Sequence, residues 1–413
     1  RSTLFPYTTL FRSRTGSLQG KVAGVQITSS SGGVGSSTRI VFRGGTSLTG
    51  NNQALIVVDG IPIDNSNIEA GDPNAIGNVN GQGLNNQVDA GNRGNDINPE
   101  DVESVTLLKG PAAAALYGTR AANGALIITT KTGKSLKGKK AEVIASSSYN
   151  FESVLRLPEY QNEFGQGGQK LPDSRENFSW GPKFDGKVRP WGQQIGDSQR
   201  VKPYVGLKDN VKDFFDLGGV FTNNLSFSQN NDRNSYYLSL NNVDQKGVMP
   251  GTEYKRTSVK LSGTADITDK IYTSATINYI RSNGDLSIQG QGNSPYDQVL
   301  QTPRDISLLE LEDYKNKFND LNGYYGAYTV NPWYLLGEDS YTSVVDRVLG
   351  NMQVGYKPLS WLDISFRIGT DVSNDKRTQI ESKRTPDPAG QNAGRKFAGS
   401  RSEERRVGKE CRS

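Results

Sequence analysis

LLKGPAAAALYGTRAANGALIITTKTG, residues Leu107 to Gly133, is the stretch on which the fold of this chain turns. Val105 to Leu108 alternates as a strand does. Gly110-Pro111 ends it, and proline is tolerated at a helix start because the N–H it lacks has no partner there. Ala112 to Tyr117 is a run of strong helix formers, and Gly118 stands where a left-handed cap is wanted. Ala125 to Thr130 is apolar and β-branched, which predicts a second strand. The residues alone describe a compact βαβ-like element of a small domain.

These pieces, in this order, resemble the end of the plug domain of TonB-dependent outer-membrane transporters, in particular the SusC/RagA branch. The matching residues are Leu108-Lys109, Leu116-Tyr117-Gly118, Arg120 to Gly124 with Asn123, and Ile127 to Lys131 with Thr130. Upstream, Leu18 to Ile27 is similar to the plug's opening helix and strand. Ile40 to Gly44 and Leu55 to Ile63 are similar to its middle strands, and Asn98 to Glu103 to the capped turn before its last element. The resemblance implies an α+β plug followed by antiparallel strands of a transmembrane β-barrel, which in this family has about 22 strands. It further implies import rather than catalysis, in the bacterial outer membrane and without a cofactor. The expected partners are TonB, acting on a box N-terminal to the plug, and a SusD-like surface lipoprotein. The expected cargo is an oligosaccharide, with a peptide as the other possibility. A siderophore or cobalamin receptor is the alternative within the class, and the Arg-Ala-Ala-Asn-Gly loop favours the SusC side.

Both ends of the chain read differently from the rest. Arg1–Ser13 can be written back as a DNA string whose reverse complement encodes Arg401–Ser413 at every position. The string looks like a sequencing-library adapter. We therefore expect residues 1–13 and 401–413 to be adapter-derived, 14–134 to be the plug, and 135–400 to be the first strands and loops of a truncated barrel. The end segments hold seven of the 48 basic and three of the 43 acidic residues, which leaves 41 against 40 between them. The apparent excess of positive charge is thus no argument for nucleic acid. The single cysteine, Cys411, falls in the same segment, and the chain has no histidine. Disulfide, thiol, zinc-site and histidine-based chemistry are excluded for residues 14–400.

Residues 131–140 (KTGKSLKGKK) are basic and without apolar periodicity, as in a linker. A phosphate loop would need glycine at Ile128. Beyond the linker the sequence repeats with period two. Val259, Leu261, Gly263, Ala265 and Ile267 share one face against Ser258, Lys260, Ser262, Thr264 and Asp266, and the chain turns at Thr268-Asp269-Lys270. Ile271 to Tyr279 continues the pattern. A second hairpin runs Val348–Tyr356, turn, Leu362–Ile368, and an earlier one runs Thr222–Ser228, turn, Tyr236–Val243. With Ala141–Phe151 this makes seven strands. Their connections alternate between short turns and long or medium loops, the long ones near 152–220 and 282–343. That places all short turns at one end, as in outer-membrane barrels with short periplasmic turns and long outer loops. Seven strands leave two open edges, and each unpaired backbone group in lipid costs several kcal/mol. The segment alone is expected neither to insert nor to transport. The alternative of a different class is a soluble β-sandwich binding or adhesin module, which would show the same alternation. A β-rich hydrolase would need paired carboxylates in a cleft, and no spacing points to them.

Function is expected to reside in three groups of residues. The long-loop aromatics Trp180, Trp191, Tyr324, Tyr325, Tyr328 and Trp333 could stack on sugar faces, with Tyr334 beside them. Packing of the loops on themselves is the alternative for each. Arg43, Arg120 and Asn123 are candidates for plug–barrel contact or gating. The resemblance implies that Arg43 pairs with carboxylates of the inner wall, since a buried arginine must be paired. Lys109, Tyr117, Gly118, Gly124 and Thr130 form the plug signature. Asp59-Gly60 and Gly32–Gly35 read as turns, and Tyr356 and Trp361 as an aromatic girdle near a short turn.

Overall fold

The computed structural model describes residues 25–29, 32–42, 44, 52–65, 88–134, 136, 141–289, 294–321, 323–326, 329–382 and 395–407. Strands β1 (Val25–Ser29) and β2 (Thr38–Phe42) pair antiparallel, with a turn at Val34-Gly35 between them. Then come β3 (Leu55–Val58), β4 (Ile61–Pro62), β5 (Val102–Leu108), α1 (Pro111–Tyr117) and β6 (Ala125–Thr130). They form one sheet in the order β4-β3-β6-β5. Asp59 and Gly60 both take positive φ, 49° and 85°, and make the tight β3–β4 turn. Ile27, Ile40, Phe42, Ile56, Val58, Ile61, Val105, Leu107, Leu126 and Ile128 close over one another as the plug core. Gly124 cannot carry a side chain: φ is 98°, and a Cβ would meet the Phe42 ring and the Leu108 carbonyl.

The quoted stretch is strand, helix, strand, as read, but it is not a βαβ unit. β5 and β6 lie antiparallel, with Leu108 opposite Ala125 and Val105 opposite Ile128, and the parallel partner of β6 is β3. A parallel return would have to retrace the length of β5, roughly 23 Å. A seven-residue helix covers only about 10 Å.

The wall consists of β7 (Ala141–Glu152), β10 (Gly218–Asn230), β11 (Asn234–Lys246), β12 (Glu253–Asp266), β13 (Ile271–Leu286), β14 (Ser340–Leu359), β15 (Leu362–Glu381) and β16 (Arg395–Val407). They pair antiparallel in chain order, and β7 and β16 are the two open edges of the described sheet. Connections 231–233, 267–270 and 360–361 turn at one end, and 153–217, 247–252, 287–339 and 382–394 leave from the other. Between β7 and β10 lie β8 (Val188–Ile195), β9 (Ser198–Pro203) and α2 (Asn210–Asp213). Between β13 and β14 lie α3 (Pro295–Leu300) and α4 (Pro332–Glu338). β16 passes through Ser400-Arg401. A backbone ladder is indifferent to the side chains it carries, so this pairing does not bear on that sequence boundary.

The two faces of the wall are inverted relative to a soluble sheet. Ser226, Ser239, Asn241, Ser258, Lys260 and Ser262 are buried against the plug. Leu225, Phe227, Leu238, Leu240, Leu261, Ile277, Met352, Phe366 and Ile368 point outward and are exposed. Leu261 is 53% exposed and its neighbour Lys260 is 2% exposed. A soluble sandwich buries its apolar face, so this arrangement answers the alternation in favour of a lipid-facing wall. On β15 the apolar outer positions run from Ile364 to Val372. Eight residues make roughly 26 Å of strand, close to the apolar band of a tilted barrel strand. Above that level the outer face becomes charged: Arg281 lies 3.8 Å from Asp346, and the Tyr279 hydroxyl donates to Asp346 at 2.6 Å. At the short-turn end, Tyr236, Tyr356 and Trp361 are exposed on the same side. Among the described residues no helix is long and apolar enough to cross a membrane.

Candidate functional site

A short strip of the plug, residues 92–101, makes most of the described side-chain hydrogen bonds to the wall. Asn98 accepts from the Glu100 N–H at 3.2 Å, and Pro99 starts a 3-10 turn that ends at Asp101. A second such turn covers Arg93–Asp96. Both carboxylates, Asp96 and Asp101, are received by side chains of the wall. Asp96 enters a buried socket. Arg347 on β14 donates Nη1 to Asp96 at 2.9 Å and to the Arg93 carbonyl at 2.7 Å. Its Nε and Nη2 grip Asp371 of β15 at 2.7 and 2.8 Å. Arg347 is 1% exposed and Asp96 is 2% exposed. The guanidinium fork suits this two-sided grip in a way an ammonium would not.

Asp101 enters a second socket. The Tyr237 hydroxyl of β11 donates to its Oδ1 at 2.9 Å. The Lys260 ammonium of β12 lies 5.0 Å from the centre of the Tyr237 ring and donates to the Lys131 carbonyl at 3.0 Å, where β6 leaves the plug. Asn98 donates to Asn224 at 3.1 Å, and Arg256 to the Asn95 carbonyl and to Asn241. One plug strip is therefore held by side chains of β10, β11, β12 and β14, with Asp371 of β15 fixing the β14 arginine.

The plug signature serves geometry. Thr130 donates through its N–H and hydroxyl to Asp59, at 2.7 and 2.6 Å, and ties β6 to the β3–β4 turn. Tyr117 packs on Ala113, Ala121 and Ala125, and Gly118 takes φ 71° after the helix. Lys109 and Asn123 are half-buried, and Arg120 is exposed. Arg43 lies outside the described residues. The plug–wall ion pair that is seen has the opposite polarity to the one expected: the wall supplies the arginine and the plug the carboxylate.

The two long loops fold on each other. Phe214 stacks on Trp333 at 4.8 Å, and Tyr324 on Tyr325 at 4.5 Å. They share a core with Trp191, Val299, Ile306, Leu308 and Leu311. The Trp333 indole donates to the Leu308 carbonyl at 2.7 Å. Arg200 lies 3.7 Å from the centre of the Trp191 ring, and Lys202 sits beside both and pairs with Asp305 at 3.1 Å. Burial lowers the pKa of Arg200 and of Lys202, with Asp305 opposing it at Lys202. Burial pushes the Tyr324 phenol up to about 12 and that of Tyr325 well above its usual value, so both are neutral. Trp191, Tyr324 and Tyr325 are buried in this shared core and Trp333 is half-buried against it, so the loops pack on themselves at these four candidates. Tyr328 lies outside the described residues. Trp180 remains exposed, 6.1 Å from Phe164.

Comparisons with known proteins fit this geometry. A family model described as TonB-dependent Receptor Plug Domain matches residues 11–125. SusC, a TonB-dependent receptor of Bacteroides thetaiotaomicron, is 39% identical over 162 residues, which are 38% of this chain and 14% of that protein. TonB-dependent receptor P26 of Formosa agariphila is 25% identical over 377 residues, 89% of this chain and 32% of that receptor. These likenesses show a SusC/RagA-like TonB-dependent receptor. The fold agrees: the RagAB peptide importer in its open-open state superposes with a TM-score of 0.69 at 20% identity, over 97% of this chain and 43% of that one. Receptors of this type are outer-membrane β-barrel proteins and not enzymes. This receptor chain spans about a third of the length of relative P26.

Within the receptor, sequence reasoning passed over Asp96, Asp101, Tyr237, Arg256, Arg347 and Asp371. A usable signal was present. Lys260 stands between Ser258 and Ser262, on the small-polar face of its strand, where a charge must be paired. In the receptor's loop unit, Phe214→Ala is expected to cost about 3–5 kcal/mol. Hydrogen exchange on the complete receptor should show faster exchange in residues 205–217 and 295–336 and an unchanged wall. Equal exchange in both forms would mean that the loops do not share a core.

Proposed function

We propose that this receptor imports a nutrient oligosaccharide across the outer membrane, with TonB drawing the plug out of its seat. A SusD-like surface lipoprotein is the expected partner on the loop side. The observation that carries the reading is the seat itself, a plug strip hydrogen-bonded by side chains of four wall strands and ion-paired through Arg347, Asp96 and Asp371. Such contacts are strong against thermal motion yet can be exchanged for water once force is applied. Trp180, exposed on the first long loop, is the aromatic we assign to ligand contact, and Arg43, Arg120 and Asn123 remain candidates for gating. Residues 14–134 are taken as the plug, residues 135–400 as the wall segment, and the two terminal segments as adapter-derived. A peptide cargo is the second reading, favoured by the likeness to a peptide importer. The test is growth of a deletion strain carrying the complete gene on a panel of oligosaccharides or peptides as sole nutrient, with and without TonB. TonB-dependent growth on an oligosaccharide supports the proposal, growth on peptides alone replaces the cargo, and TonB-independent growth removes the mechanism.

A further inference from the structure

A cavity of about 20 Å³ lies between plug and wall, lined by Asp59, Asn98 and Asp101 on one side and by Lys260, Asn278 and Asn351 on the other. That is room for one water molecule. Two of the lining oxygens, Asp101 Oδ2 and Asn278 Oδ1, are buried and meet no donor from the protein. Their residues are 2% and 7% exposed. Buried acceptors in folded proteins find a partner, from the protein or from ordered water. Lys260 lines the same cavity with an ammonium that has three protons.

We propose that one structural water occupies this cavity and bridges plug to wall. It donates one proton to Asp101 Oδ2 and the other to Asn278 Oδ1, and it accepts from Lys260 Nζ. The count closes: two orphaned acceptors take both water protons, and one donor fills a lone pair. A small cation fits the site worse, because it would lie beside the Lys260 ammonium and lack a full oxygen shell. A dry cavity fits worse still, because empty cavities are apolar. The two plug carboxylates are then held differently, Asp96 through direct ion pairs and Asp101 partly through water. This rests on the seating of the plug and not on the cargo.

The test is a high-resolution crystal structure of the complete receptor and of its Asn278→Leu variant. Leucine keeps the shape of asparagine and removes the acceptor. In the parent, one density peak is expected about 2.7–3.2 Å from Asp101 Oδ2, Asn278 Oδ1 and Lys260 Nζ. In the variant that peak should be lost while Arg347 still grips Asp96. The proposal is overturned by a parent cavity without a peak, by a peak ringed by five or more oxygens, or by a peak that survives in the variant. A receptor that shows the bridging water but imports no oligosaccharide leaves this site standing and removes the cargo reading instead.

Discussion

Replacing Arg347 by alanine in the complete receptor is expected to unseat the plug. The side chain is buried and makes four hydrogen bonds, three to Asp96 and Asp371 and one to the Arg93 carbonyl. Its removal takes the cation from Asp371 and leaves Asp96 with Arg93 alone, at 3.6 Å. Breaking a buried pair from one side costs about 3–5 kcal/mol, because the partner charge is left uncompensated. The readout is entry of large antibiotics through the outer membrane, together with the unfolding midpoint of the plug. Arg347→Ala should leak and unfold early. The triple change Arg347→Leu, Asp96→Asn and Asp371→Asn should recover much of the loss, because exchanging a whole buried ion cluster for neutral groups is often near neutral. If Arg347→Ala leaves the receptor as tight and as stable as the parent, the seat described here is not what holds the plug.

Leu261→Arg is expected to block assembly of the wall. Leu261 points outward between Leu238 and Ile277, its partners on the neighbouring strands. A charge at the middle of the apolar band costs about 2–4 kcal/mol, falling to roughly 0–1 near its edge. Thr257→Arg is the control on the same strand and face, opposite Arg281 at the charged rim. The amount of heat-modifiable receptor in outer membranes should fall sharply for Leu261→Arg and hardly for Thr257→Arg. Equal tolerance of both would place the outward face in water.

What the sequence disclosed is what is encoded locally. Alternation over Val259–Ile267, the turn at Thr268–Lys270 and the Ala-rich helix before Gly118 depend on neighbours along the chain, and they are found within a residue of where they were read, β12 ending at Asp266. The strands run further than the apolar alternation does. β14 and β15 have 20 residues each, while the apolar pattern marks 348–356 and 362–368. Beyond Val372 the outer face carries Asn374 and Lys376, which the ladder tolerates in water but which end the apolar signal. The β8–β9 hairpin lies in a loop with no common apolar face, and periodicity does not reveal it. β16 was not read as a strand either, since Arg395–Val407 carries no apolar alternation. Non-local partnership was the larger gap. Arg347 and Asp96 are 251 positions apart, and no spacing along the chain announces that pair. The loop aromatics show a related limit: the same composition suits a sugar platform and a buried core, and only packing separates the two.

The central claim is that this wall is inverted, apolar toward lipid and polar toward a seated plug. The most direct measurement is a cysteine scan of β12 in the complete receptor. Spin labels at Ser258, Val259, Lys260, Leu261 and Ser262 would be read for collision with oxygen and with a water-soluble nickel chelate. Labels at Val259 and Leu261 should collide with oxygen and not with the chelate, and those at Ser258, Lys260 and Ser262 with neither while the plug is in place. Chelate access at Val259 and Leu261 would show that face to be in water and would contradict the account.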